Sequence, residues 1–176
     1  MTTFLDSSAL FTFKYTEAKK YEDDIWDFQQ LIFDYSAGKI NEHYWRAKKL
    51  IKKNTTLTSQ KWCDGLALIF HARQNCNSKR TEYIPTTVFS DTANTTIIYS
   101  GKREKVRIES MPTPVRCWYF DGVANWKGIY GLSGRFRGWF SDDLSRVPIL
   151  AKMNVYVGDV VIQLVKWKKA GWKPPG

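Results

Sequence analysis

Alternation of apolar and polar residues with a period of two runs through most of this chain, and it narrows the available folds more than any other feature. Leu31, Phe33 and Tyr35 alternate with Gln30, Ile32, Asp34 and Ser36, and "SAGK" then turns the chain into a second strand from about Ile40 to Lys48. That pattern predicts a hairpin. "TTIIYSGKREKVRIES" repeats it, with two short strands expected to join at Ser100, Gly101 and Lys102. Beyond Pro112 and Pro114, four further strand-like runs are each ended by Gly, Asp or Pro, the residues that punctuate strands. In the third, Val147, Ile149, Ala151, Met153, Val155 and Val157 make one apolar face, with Pro148, Lys152, Asn154 and Tyr156 opposite. A hairpin is expected around Gly158 and Asp159.

One stretch departs from period two. In "SQKWCDGLALIFHARQN", Ser59 to Asn75, residues Trp62, Leu66, Ile69, Phe70 and Arg73 recur at spacings of three and four. This predicts a helix over 59–75 capped by Ser59, with Gly65 as its weak point. One helix among eight to ten strands with hairpin-length connections excludes a βαβ plan, which needs a helix after nearly every strand. The expected fold is a single domain over 1–176, mainly β: an antiparallel sheet curled around the helix or around a cavity. The 176 residues, 43% hydrophobic and 15% aromatic, suffice for one core and exclude a disordered chain.

The net charge is +10, from 27 Lys and Arg against 17 Asp and Glu; such a field attracts anions without naming one. Basic runs occur at Lys48, Lys49, Lys52 and Lys53 and at Lys166, Lys168, Lys169 and Lys173. Cys63, Cys76 and Cys117 have neither zinc-site spacing nor an even count, so buried free thiols are expected, with a Cys63 to Cys76 bridge as the alternative. The opening residues lack a basic region followed by an apolar run of roughly 7 to 15 residues, and no stretch reaches the ~18 apolar residues of a membrane span.

Catalytic motifs are missing. His43 and His71, the two histidines, lack metal-site or triad spacing. "GIYGLSG", Gly128 to Gly134, has no Lys-Ser/Thr after it and reads as turn glycines rather than a phosphate cradle. Ser141, Asp142 and Asp143 offer a nucleophile and two carboxylates, but a hard cation wants six or more oxygens. Acids in a turn, balanced by Arg135, Arg137 and Arg146, are the plainer reading. Eight Trp, nine Tyr and ten Phe mingle with the basic residues, a mixture suited to single-stranded nucleic acid, yet no recognition motif accompanies it.

Four segments, in order, resemble the uncharacterised exported bacterial proteins of the DUF 3108 family: "FLDSSALFTFKYTEAKKYEDDIWDFQQLIFDYSAGKI", "CDGLALIFHAR", "IIYSGKREKVRI" and "GRFRGWFSDDLSRVPILAKMNVYVGDVVIQLVKW". The tail, W-x-S-D-D followed by R-V-P and a later V-G, carries most of it. Asp64, Arg73, Gly101, Trp139, Ser141, Asp142, Asp143, Pro148 and Gly158 match recurrent motif letters. The resemblance implies an envelope or periplasmic protein built as an antiparallel, partly open β-barrel of lipocalin-like or lipoprotein-carrier-like form, with no established reaction and no cofactor. Such chains open with a signal and further strands; this one opens at what resembles an internal segment, so a genuine start here implies the cytoplasm. A missing N-terminal part would leave the strand at Ala9 to Thr16 with an unpaired edge, a route to a homodimer.

The leading expectation is non-enzymatic binding of an apolar or amphipathic ligand, a lipid or glycan, in a curved sheet. The ligand-contacting candidates are Arg73, Arg137, Trp139, Asp142 and Asp143. A structural or protein-interaction role in the envelope is the second reading. Single-stranded nucleic-acid binding and hydrolysis come last.

Overall fold

The structure, a computed structural model, describes residues 1–21, 24–88, 91–126, 133–154, 158–168 and 170–176. Twelve strands and one helix are assigned among them: β1 Thr2–Leu5, β2 Thr12–Lys20, β3 Trp26–Asp34, β4 Lys39–Arg46, β5 Lys49–Leu57, β6 Cys63–Asp64, α1 Ala67–Asn75, β7 Lys79–Val88, β8 Asp91–Val106, β9 Val115–Ala124, β10 Gly134–Ser141, β11 Pro148–Asn154 and β12 Asp159–Gln163. The architecture is mainly β, as the alternation requires. A seven-stranded sheet of order β12-β11-β10-β9-β8-β7-β6 is a curled half-barrel, and a second, antiparallel sheet runs β1-β2-β3-β4-β5.

Two compact units divide the chain. One holds Met1–His71 with Pro85–Ser90, the other Ala72–Ile84 with Asp91–Gly176. The first centres on Tyr15, Leu31 and Phe33, against which Tyr35, Ile40 and Trp62 pack. In the second, Val106, Ile108, Met111, Val115, Cys117, Trp139, Ile149 and Trp172 form the buried cluster. The three cysteines are free and buried. Burial pushes the Cys76 thiol up to about 11 and Cys117 to about 12.

Several elements differ from their sequence expectation. The helix starts at Ala67, not Ser59, because Asp64 rather than Ser59 supplies the cap: its Oδ1 accepts from the N–H groups of Leu66 at 2.8 Å and Ala67 at 3.1 Å. Gly65 therefore precedes the helix and costs it nothing. Trp62 lies outside the helix, just before β6, its N–H donating to the Tyr35 hydroxyl and its carbonyl accepting from Thr12 N.

The hairpin expected at Ser100 to Lys102 is a bulge inside one sixteen-residue strand, β8. Both halves of β8 pair the same neighbour, with Tyr99 opposite Phe120 and Arg103 opposite Trp118. The surplus residues fold out where Gly101 adopts φ +67°, a backbone region open to glycine without steric cost. The hairpin at Ser36 to Gly38 is as expected, joining β3 to β4. β2 has no free edge: β1 pairs one side and β3 the other, since Thr2–Leu5 itself forms a strand.

Of the apolar face expected from Val147 to Val157, Ile149 is buried while Ala151 and Met153 are half-buried. Val155, Tyr156 and Val157 lie outside the described residues, as do residues 128–132 of the glycine-rich turn and Lys169. β11 pairs antiparallel with β12, Asn154 opposite Asp159.

Candidate functional site

The W-x-S-D-D segment folds into a bend whose polar groups are consumed locally. β10 ends at Ser141, which is fully buried. Its Oγ accepts from Val147 N at 2.7 Å and donates to Asp143 Oδ1 at 3.0 Å. The same Oδ1 accepts from Ser145 N and Arg146 N, and Oδ2 takes the indole N–H of Trp172 at 2.7 Å. Burial works to raise the Asp143 pKa, but these four bonds outweigh it and hold the carboxyl below its ordinary value. A carboxylate with that many donors is a turn staple.

Asp142 points elsewhere. Its Oδ2 lies 2.8 Å from Arg116 Nε and 3.0 Å from Arg103 Nε, and the Arg103 guanidinium sits 4.2 Å over the Trp118 ring. Arg73 donates to the carbonyls of Ser145 at 2.8 Å and Arg146 at 3.1 Å. Arg146 returns the favour, donating to the carbonyls of Arg73 and Gln74. Those carbonyls close the last turn of α1, where cations satisfy orphan acceptors. Trp139, buried, donates its indole N–H to Glu104 Oε2 at 2.7 Å, and Arg137 is exposed on the same face two residues earlier.

Arg73, Asp143 and Arg146 thus meet around one bend, while Asp142 serves the arginines of β8 and β9. Trp139 and Arg137 belong to the body of the sheet. Leu144 stands outside these contacts, fully exposed beside a shallow recess that Asp143, Ser145 and Trp172 also line. Among the described residues, no group of three His, Cys, Asp or Glu is placed to hold a metal ion.

A more open surface occurs on the five-stranded sheet, and strand parity builds it. On β3 the odd positions Asp27, Gln29, Leu31 and Phe33 are buried, so Trp26, Phe28, Gln30 and Ile32 face the other way. Register then assigns neighbours to that second face. Lys14, Thr16, Ala18 and Lys20 come from β2, and His43 and Trp45 from β4. Leu50 and Lys53 come from β5. Phe28 and Trp45 rings lie 5.2 Å apart, and His43 stacks on Trp45 at 5.6 Å. Trp26 is 50% exposed and Phe28 37%.

Charge is sorted across the same sheet. Glu17, Asp27 and Glu42 share the parity of the buried face, where Tyr15 donates to Glu17, Tyr44 to Asp27 and Gln29 to Glu42, with Lys52 at 2.7 Å from Glu42. From Trp26 to Ile32 the register brings no carboxylate to the aromatic face. Asp34, at the strand's end, accepts from Ser36 Oγ and Ala37 N in the turn. Lys14 meanwhile lies 5.4 Å over the Phe4 ring, which neighbours Phe13.

None of these aromatic residues was singled out by sequence reasoning. The signal was available: carrying the Leu31/Phe33 alternation back to Trp26 puts Trp26 and Phe28 on the opposite face from the core.

The model of a family described as proteins of unknown function, DUF3108, matches residues 2–165. No curated protein and no solved structure matches the chain.

Proposed function

Because this chain belongs to the DUF3108 family, whose description assigns no activity, we propose its function from geometry: non-enzymatic binding of an amphipathic ligand, an apolar chain with an anionic head, on the aromatic face of the five-stranded sheet. One observation carries this reading. Trp26, Phe28, Trp45 and Leu50 form an apolar surface left open to water, with Lys14, Lys20 and Lys53 around it and the sheet's mid-strand acids on the opposite face. Exposed aromatics gain by covering their area, at roughly 25 cal/mol per Å²; Lys20 is paired with Asp24, but Lys14 and Lys53, whose strand neighbours on that face bring no carboxylate, favour an anionic head. Aromatic surface with a few placed polar groups is the usual lining of small-molecule sites.

The cell envelope is the compartment we propose for this activity. Its support is the likeness of the quoted segments to exported bacterial proteins. The bend around Asp142 and Asp143 has no part in the proposal, because its polar groups already have partners.

A displacement assay with a fluorescent fatty acid tests the reading. Lysophosphatidylglycerol should displace the probe better than lysophosphatidylcholine, and Trp26→Ala with Phe28→Ala should weaken binding about tenfold or more, the factor for roughly 1.4 kcal/mol. Circular dichroism should be unchanged, since both side chains lie outside the core. No probe binding, or equal affinity in the double variant, overturns it.

A further inference from the structure

A second surface lies on the unit that contains β8 to β12, and it is independent of the aromatic face. Its residues follow from the bend. Asp143 is fixed by four hydrogen bonds, so the next residue, Leu144, is held out rigidly at the tip, 101% exposed. An aliphatic side chain wholly in water at a fixed tip gains nothing for the fold.

The chain's last segment runs to the same place. The Trp172 indole bonds Asp143 Oδ2, and the Trp167 ring meets Trp172 edge-on at 5.4 Å. Lys173 and Leu144 line one shallow recess. The segment is tied down elsewhere too: Ser110 Oγ donates to the Leu164 carbonyl, and Arg116 N donates to the Pro175 carbonyl at 2.8 Å. Along it, Val165 is 76% exposed and Trp167 partly so, with Lys166, Lys168 and Lys173 exposed between and after them.

Charge complementarity names the occupant. From Val160 to Gly176 the sequence has four lysines and no acid. The carboxylates of the bend are occupied, Asp142 by Arg103 and Arg116, Asp143 by its donors. Rigid apolar tips, an interfacial tryptophan and unopposed lysines are the combination that seats a protein on an anionic lipid surface: apolar groups enter the headgroup boundary, tryptophan sits at that level, and each lysine gains from the surface potential. We propose that the Leu144 tip, residues 165–168 and Lys173 form a docking surface for an anionic bilayer. The partner is the bilayer face itself, not a single bound lipid.

Co-sedimentation of the full chain with phosphatidylcholine vesicles, with and without phosphatidylglycerol, tests it. Binding should require phosphatidylglycerol and fall with added salt. Lys166→Gln with Lys168→Gln should weaken it on the order of thirtyfold, which is about 1 kcal/mol per lysine. Leu144→Ser, at an exposed tip where the fold is indifferent, should weaken it severalfold, and Trp26→Ala with Phe28→Ala should leave it unchanged. The last pair separates this proposal from the ligand reading, because each fails on its own variants. Equal binding to both vesicle types, or vesicle binding untouched by Leu144→Ser and the lysine pair, would overturn it. Binding to an acidic peptide or oligonucleotide without vesicle binding would overturn it as well.

Discussion

Asp64 is the side chain on which the first unit turns most directly. It is fully buried, caps α1 through Leu66 and Ala67, and accepts from Thr3 Oγ1 at 2.9 Å and Thr12 Oγ1 at 2.8 Å. Asp64→Ala strips the cap and leaves two buried hydroxyls without an acceptor; each loss costs about 1 kcal/mol or more. A fall of about 3 kcal/mol in unfolding free energy is expected from urea denaturation. Asp142→Ala should cost far less, about 0–1 kcal/mol, because its partners Arg103 and Arg116 are half in solvent. Asp143 gives a pH dependence whose sign is fixed. Its folded pKa lies below the ordinary 3.8, so its contribution is complete above that value and is lost as pH falls through the folded one. Below about pH 4 the Trp172 contact should release first, read as a change in tryptophan emission that Trp172→Phe removes.

Strands show how much was legible and how much was not. Period-two alternation located β3 most plainly, because one of its faces is buried and a buried face writes a pattern; β4 and β12, which have no fully buried residue, were found through the turn residues that bound them. β5 was not read as a strand, because Lys49–Leu57 is exposed on both sides, and no pattern separates such a strand from loop. The helix start was missed because Ser59 and Asp64 are both good caps in sequence. The choice was made by Thr3 and Thr12, which are distant along the chain. Gly101 signalled a turn correctly in its backbone angle, yet whether a positive φ makes a hairpin or a bulge depends on which strand the next residues pair with. The acids of the bend were read as turn chemistry, and the hydrogen bonds to Asp143 are of that kind. A test at this scale is β9: a Cβ on Gly122 would fall 2.1 Å from the Thr96 carbonyl oxygen and 2.5 Å from the Phe136 ring. Gly122→Ala should lower stability by about 3 kcal/mol through forced strand displacement. Gly134→Ala, with open space around it but φ +80°, should cost only about 1 kcal/mol.

For the whole molecule, a chain of net charge +10, the two surfaces differ in geometry, one flat and aromatic, one pointed and lysine-rich. Salt should therefore weaken vesicle docking more steeply than binding of a single amphiphile, since docking depends on more lysines at longer range. Paired titrations at low and high ionic strength check this, and equal slopes would contradict it. The DUF3108 match over residues 2–165 makes both surfaces worth tracing in related chains. Fractionating cells that express the gene from its own locus tests the envelope proposal; recovery in the cytosol alone would count against it.

The three sealed thiols offer a way to time these events. Cys63 belongs to one unit, Cys76 and Cys117 to the other. A thiol whose proton is held to about 11 or 12 has almost no thiolate at neutral pH, and alkylation needs the thiolate. Cys76 and Cys117 therefore stay silent until their surroundings open, and Cys63, with no exposed surface, is out of a reagent's reach until its own unit opens, so peptide mapping after iodoacetamide pulses would read the two units as separate clocks. Slowing of the Cys63 clock by an amphiphile, with the others unmoved, would localise the ligand without any label.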